Sequence, residues 1–115
     1  MLRGEIRLTD FDPSRGSEAN KRRPAVIVSN DRANASAARL QRGVITVVPV
    51  TSNVVRVFPF QTLLPADETG LRLESKAQAE QVRSVAIERV GPVIGRVPTH
   101  VMTDLDDALR LHLRL

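Results

Sequence analysis

Short apolar runs separated by turn residues dominate the hydrophobic pattern of this chain. The segment Gly4–Phe11 alternates apolar and polar residues, with Ile6 and Leu8 set against Arg7 and Thr9. A period of two is typical of a strand with one face buried and the other in water. The chain is therefore predicted to begin with a half-buried strand.

Two continuous apolar runs predict strands that are buried on both faces. The first is Ala25–Val28, which Pro24 leads in, and the second is Val44–Val50. Runs of this length that are bounded by turn residues are typical of core strands. Proline is tolerated at the start of a strand, where a missing N–H matters least. Pro49, near the end of the second run, predicts an edge position or a bulge there.

Shorter segments predict the remaining elements. Further strand candidates are Phe58–Leu64, Leu71–Leu73, Ser75–Ala79, Gln81–Ile87 and Val93–Val97. Turn residues cluster at Asp12–Gly16, Pro65–Gly70 and Glu88–Pro92. The polar, small segment Ser29–Arg42 is predicted to be a loop with at most one helical turn in its Ala-rich part.

An amphipathic helix is predicted at the C-terminus, with Thr99 as its N-cap after Pro98. Its apolar positions recur at helical spacing: Val101, Met102, Leu105, Leu109, His112 and Leu113. Carboxylates precede cations along it, an order that suits the helix dipole. Six or seven short strands closed by one helix favour a mainly β fold, a small antiparallel barrel, in a single domain over residues 1–115.

Composition narrows the classes of function. There is no Cys, so disulfide, thiolate and Cys-based metal chemistry are excluded. The first residues lack the apolar core of a signal peptide, and no run approaches the roughly 18 apolar residues of a membrane span. These features predict a soluble, cytoplasmic protein without membrane contact.

The charge favours a polyanionic partner. The net charge is +4 with a pI near 10.9, and Lys stands only at Lys21 and Lys76 among the 17 cations. Arginine suits phosphate contacts and stacking on bases. A GC-rich genome would also explain the Arg/Lys ratio, but it would not explain the net positive charge. The balance therefore points to nucleic acid.

Several chemistries are excluded by spacing. His100 and His112 lie twelve residues apart on one predicted helix, so they cannot share a small site within one chain. The carboxylates of Asp104–Asp107 diverge on that helix and are interpreted as a solvated face. There is no HExxH motif, P-loop, GxGxxG or GxSxG motif, so neither a metal nor another cofactor is predicted.

Polar residues at predicted strand ends remain as candidates: Glu18, Arg23, Thr51, Ser52, Arg83 and Ser84. A metal-free RNA cleavage could use them, with Arg23 stabilising the charge of the phosphorane. Glu18 is the more plausible general base, since Arg remains protonated, and Thr51 would donate a hydrogen bond to phosphate. Ordinary roles as caps, loop residues or surface ion pairs are the alternative for each.

The motifs taken together resemble the MazF/PemK toxins. The resemblance rests on Gly4-Glu5-Ile6, Asp10-Phe11-Asp12-Pro13, Gly16-Ser17-Glu18, Arg23-Pro24-Ala25-Val26-Ile27-Val28-Ser29, Val48-Pro49-Val50-Thr51 and Gln81-Val82-Arg83-Ser84-Val85-Ala86. It covers nearly the whole chain from Gly4 to the C-terminal helix.

This resemblance implies an SH3-like barrel (the plasmid-maintenance-toxin fold) and a homodimer. It implies a metal-independent, sequence-specific endoribonuclease that cleaves single-stranded RNA and so inhibits translation. It also implies a cognate antitoxin with an acidic, flexible tail. By motif position the catalytic residues are Arg23, Thr51 and Glu18. The residues expected to bind RNA are Ser17, Lys21, Arg22, Ser52, Arg56, Phe58, Arg83 and Ser84.

The chain departs from the family in its aromatic residues. Many relatives carry aromatics after Gly-Glu-Ile, where this chain has Arg7 and Leu8, and it has no Trp or Tyr. Base stacking would then rely on Phe58, Phe60 or Arg planes, and sequence selection on Arg and polar loop residues.

Two other functions of the same fold stay open. One is a toxin that binds a protein such as DNA gyrase without cutting RNA, although this C-terminus lacks the Trp of that type. The other is an inactive relative that still binds RNA or antitoxin.

Overall fold

The structure is a computed structural model that describes residues 1–11 and 22–115. Its described part contains seven strands: β1 (Glu5–Asp10), β2 (Arg22–Ile27), β3 (Val44–Thr51), β4 (Gln61–Leu64), β5 (Ser75–Gln78), β6 (Arg83–Ala86) and β7 (Val90–Arg96). Three α-helices accompany them in the same part: α1 (Asp31–Leu40), α2 (Ala66–Thr69) and α3 (Thr99–Leu113). Short 3₁₀ helices cover Ala79–Gln81 and Ile87–Arg89. The prediction of a mainly β fold with a C-terminal helix is confirmed.

Strand β3 is the centre of the sheet. The strand order is β4-β5-β3-β2-β1-β7, with β6 also paired to β3, and the pairings are antiparallel. One side of β3 pairs with β2. The other side pairs with β6 over Val44–Val47 and with β5 over Val50–Thr51.

Both faces are buried over residues 25–27 of β2 and 47–50 of β3, as the continuous apolar runs predict. On one face Val26, Val48 and Val50 pack with residues of α3 such as Leu105. On the other face a second cluster forms around the opposite set of side chains: Phe11, Ala25, Ile27, Ala37, Ile45, Val47 and Val85. Helix α1 supplies Ala37 to this second cluster.

The loop predicted over Ser29–Arg42 is wrong, because this segment contains the ten-residue helix α1. The Asn30 side chain caps it by accepting a hydrogen bond from the backbone N–H of Ala33 at 2.8 Å. Asparagine is among the best N-cap residues, and alanine has the highest helix propensity. Asn34 is buried and ties the helix to Ser29.

Pro49 lies in a central strand, so its predicted edge position is wrong. It is buried and pairs with Ala25 of β2. On its other side β3 changes partner between Val47, the last residue paired with β6, and Val50, the first paired with β5. The proline therefore stands where β3 has no ladder partner on that side, and its missing N–H is tolerated.

Smaller differences concern element ends. Leu71–Leu73 is not a strand, the predicted turn at Pro65–Gly70 contains α2, and β7 already begins at Val90 within the predicted turn at Glu88–Pro92. The strand predicted over Phe58–Leu64 starts later than expected, at Gln61.

The N-cap of α3 is Pro98 rather than Thr99, which is already helical, and no side chain caps the first turn. The predicted apolar stripe holds at Val101 and Leu105, whereas His112 and Leu113 are exposed. Ala108 is also buried.

Candidate functional site

The β2–β3 ladder brings Arg23 and Thr51 together. Its register pairs Ala25 with Pro49, and continued by two residues it places Arg23 opposite Thr51. Directly opposite residues share a face of the sheet and have Cβ atoms about 5 Å apart. On the next strand, Lys76 of β5 pairs with Thr51. Arg23 and Thr51, which are both able to bind an anion, thus stand in one row with Lys76 across the sheet.

A cavity of about 440 Å³ opens at this end of the sheet. The strands contribute Arg23, Pro24, Val50, Thr51, Ser75 and Ile94. Ser52 directly after β3 also lines the cavity, and the segment before β5 contributes Leu71, Arg72 and Leu73. The volume falls within the range of small-molecule pockets.

The charge of the cavity suits an anion. Arg23 and Arg72 are both exposed, and no Asp or Glu stands among the described residues that line the cavity. Sequence reasoning missed Arg72, because this residue lies in a segment with no motif. It lines the cavity only because the 70–75 segment folds over the strand ends.

The hydroxyl of Thr51 is oriented by the chain that follows it. Thr51 is half-buried, and its Oγ1 accepts a hydrogen bond from the backbone N–H of Asn53 at 3.2 Å. An accepting hydroxyl keeps its own hydrogen for donation. Thr51 can therefore donate a hydrogen bond to a phosphate oxygen in the cavity, the role that the sequence predicts for it.

Arg56 and Phe58 lie in the connection between β3 and β4, residues 52–60, which we call the 52–60 loop. Both are exposed. Phe58 stacks on Phe60 with ring centroids 5.3 Å apart and an interplanar angle of 12°. The loop thus presents a cation and an aromatic face on the chain that leads directly away from Thr51.

Arg83 and Ser84 do not line the cavity. They pair with Val47 and Thr46 of β3, and Val47 lies about 13 Å from Thr51 along the strand at 3.3 Å per residue. The Arg83 guanidinium stands 5.2 Å from the centroid of the Phe11 ring. Ser84 shares the opposite face of the sheet from Thr51, so the structure separates it from the cavity.

Arg22 pairs with Asp10 of β1 and is exposed. Because it precedes Arg23 in β2, its side chain projects from the other face of that strand. Three further predicted site residues, Ser17, Glu18 and Lys21, lie outside the described residues.

The histidines lie apart from the cavity. His100 is exposed, with its Nε2 3.2 Å from Oε1 of Glu68, and His112 is exposed near the end of α3. Within residues 1–11 and 22–115, no group of three or more His, Asp or Glu side chains could hold a metal ion. In the same part of the chain, no helix is long and apolar enough to cross a membrane.

The described part of the chain thus has a cationic cavity beside a threonine hydroxyl, at the end of a small antiparallel sheet with a C-terminal helix. The family described as "PemK-like, MazF-like toxin of type II toxin-antitoxin system" matches residues 2–113. This chain belongs to that family.

Individual relatives agree with this assignment. The chain is 64% identical over 115 residues to Endoribonuclease MazF9 of Mycobacterium tuberculosis, covering 100% of this chain and 98% of the relative. Its fold is similar to the crystal structure of MazE-MazF (Form-II) from Deinococcus radiodurans, with a TM-score of 0.79, 26% identity and coverage of 100% and 96%.

A second solved structure, titled "Endoribonuclease in complex with its cognate antitoxin from Mycobacterial species", matches with a TM-score of 0.75 at 24% identity, covering 100% of this chain and 96% of that one. These similarities to MazF structures confirm the predicted fold class.

Proposed function

We propose that this protein is the toxin of a type II toxin–antitoxin system and an endoribonuclease that cleaves single-stranded RNA. The observation that carries the proposal is the row of Arg23 and Thr51 at a cationic cavity. Membership of the toxin family and 64% identity to a named endoribonuclease support it.

The cavity suits the charge that develops during RNA cleavage. The 2′-oxygen forms a bond to phosphorus as its proton leaves, and the bond from phosphorus to the 5′-oxygen breaks as that oxygen takes up a proton from water. The guanidinium of Arg23 would stabilise the pentacoordinate phosphate, and Thr51 would donate a hydrogen bond to one of its oxygens. Glu18 remains the proposed acceptor of the 2′-proton, and no step is assigned to a metal.

Neighbouring residues would bind the rest of the strand. Arg72 and Ser52, which line the cavity, would contact flanking phosphates. Phe58 offers a ring face to a base, a contact worth about 1–3 kcal/mol. Ser17, Lys21, Arg22 and Arg56 stay proposed contacts, whereas Arg83 and Ser84 would take part only if RNA extended beyond the cavity.

The proposed partners follow from the same charges. A cognate antitoxin is supported by the relative solved in complex with one, and an acidic tail would complement Arg23 and Arg72. A homodimer and a cytoplasmic location stay predictions from the sequence.

A cleavage assay on a long single-stranded RNA in EDTA tests the function. Purified antitoxin-free protein is compared with Arg23→Ala and Thr51→Val, and the ends of the products are mapped. We expect wild type to cut at a short recurring motif and both variants to lose about 100-fold or more in rate, the typical effect of removing a donor to a developing oxyanion. Arg39→Ala, on the exposed face of α1, is the matched control.

Two outcomes would contradict the proposal. Folded wild type that binds RNA without cutting it would support the inactive relative. Protein that neither binds nor cuts RNA would favour the alternative of a protein target such as DNA gyrase. A gyrase-inhibition assay would then be the next measurement.

A further inference from the structure

Lys76 is a buried cation with two identified partners. Only 8% of its surface is exposed, which is uncommon for lysine unless it is paired. Its Nζ donates a hydrogen bond to the backbone carbonyl of Arg56 at 2.6 Å. The same Nζ lies 5.9 Å from the centroid of the Phe58 ring, at the outer limit of a cation–π contact. Both partners belong to the 52–60 loop.

Otherwise the 52–60 loop is held mainly at its two ends. At its start, the N–H groups of Asn53 and Val55 bond to the side chains of Thr51 and Asn53. At its end, the Phe58 N–H donates to Oε1 of Gln61. Between these points Val55 is 92% exposed. Among the described residues, Lys76 of β5 is therefore the residue that fixes the middle of the loop to a neighbouring strand. We call this contact the anchor.

The anchor stands next to the proposed reaction site. Lys76 pairs with Thr51 across the β3–β5 ladder, so the two side chains share a face of the sheet. The ammonium thus joins the strand that carries Thr51 to the loop residues that present Arg56 and Phe58. A shift of this anchor would move the cation and the ring relative to Thr51.

We propose that Lys76 is a positioning residue that sets which RNA sequence is bound, by fixing the 52–60 loop so that Arg56 and Phe58 contact the bases and phosphates beside the cleaved bond. The inference rests on the proposed function. Lysine suits this role because a compact ammonium on a flexible stem can reach a carbonyl and a ring face in a confined space, where a planar guanidinium is larger.

The first test separates positioning from chemistry. Lys76→Met keeps the stem and removes the charge, Lys76→Arg keeps the charge, and Arg39→Met is the matched loss of one remote cation. We expect Lys76→Met to raise KM roughly tenfold with kcat changed less than threefold, and to broaden the cleavage motif. Lys76→Arg should restore part of the KM. In a Phe58→Ala background, Lys76→Met should raise KM by a smaller factor, because the two residues act through one contact.

A second test does not depend on cleavage. Amide hydrogen exchange of residues 53–58 should rise in Lys76→Met relative to wild type and to Arg39→Met, with exchange in β3 unchanged. Faster exchange with no RNA cleavage by wild type would keep the anchor and reject the proposed function. Unchanged loop exchange, or cleavage by Lys76→Met with wild-type KM and motif, would overturn the role of Lys76.

Discussion

Glu5 shows how a single residue is held charged inside the fold. It is 6% exposed, and burial by itself raises the pKa of its carboxyl. Its Oε1 accepts hydrogen bonds from the backbone N–H of Leu2 and from Nε of Arg7, each at 3.0 Å. These bonds and the charge of Arg7 outweigh burial, so the pKa lies below its ordinary value of 4.5. Arg96 adds a weaker contact at 3.4 Å.

The lowered pKa of Glu5 predicts a pH-dependent contribution to stability. The ionised carboxylate stabilises the folded state fully above the unfolded pKa, and this contribution is lost as pH falls from about 4.5 through the lower folded pKa. Urea unfolding should therefore show Glu5→Gln to be less stable than wild type at pH 7, with the gap narrowing toward pH 3. Glu88→Gln, at an exposed position, is the control. A gap that stays constant over this range would contradict the assignment.

The type of residue and its position beside an apolar run were enough to predict part of the candidate site. Arg23 and Thr51 stand out in the sequence because each lies at the end of an apolar run. Lys76 and Arg72 carry no such signal, since their places depend on which strands pair and on how the 70–75 segment folds back.

Among the elements, α1 is joined to the sheet by a small polar network beside its alanine contact. Asn30 caps its N-terminus, and the buried Asn34 bonds to both the hydroxyl and the carbonyl of Ser29. The same hydroxyl accepts the backbone N–H of Thr46 at 3.1 Å. These bonds connect α1 to β3, so the helix covers one face of the sheet with Ala37 as a main apolar contact.

Removal of the α1 cap should cost about 1 kcal/mol of unfolding free energy. Asn30→Ala deletes the acceptor for the N–H of Ala33, whereas Asn30→Asp keeps an acceptor and adds a charge favourable at a helix N-terminus. Chemical denaturation of the two variants against wild type checks this. Equal losses in both variants would show that the side-chain acceptor of Asn30 contributes nothing.

At the scale of the whole molecule, the described residues include two arginines at the cavity and three aspartates on α3. Arg23 and Arg72 lie at the cavity, whereas Asp104, Asp106 and Asp107 are on α3. With a net charge of +4, this arrangement favours approach of a polyanion to the cavity end of the sheet.

Binding of single-stranded RNA should weaken as salt rises. Each phosphate contact contributes about 0.7 to the slope of log affinity against log salt concentration. We expect Arg72→Gln to reduce the slope by about that amount, measured by fluorescence anisotropy with a short RNA. Arg110→Gln is the control, because Arg110 pairs with Asp107 on α3 at 3.1 Å. Equal slopes for wild type and Arg72→Gln would remove Arg72 from the RNA contacts.

The local hydrophobic pattern of the sequence determined the type of those elements whose apolar residues recur regularly. The alternation of β1, the continuous apolar runs of β2 and β3 and the stripe of α3 each carry their structure in neighbouring residues. Helix α1 escaped this reasoning because its buried face consists of small and polar residues such as Ala37 and Asn34, while capping and alanine propensity stabilise it. The resemblance of motifs further identified the toxin family from the sequence.

Only the tertiary structure determined which residues from distant parts of the chain are neighbours in space. The sequence cannot show that Thr51 meets Lys76, that Pro49 falls between two strand partners, or that Arg72 folds onto the cavity. The first two follow from the β3 register with β2, β5 and β6, and the third follows from the course of the chain before β5. Register is set by burial of side chains from distant segments on both faces of the sheet, and the energy of that packing is not encoded in any short stretch of the chain.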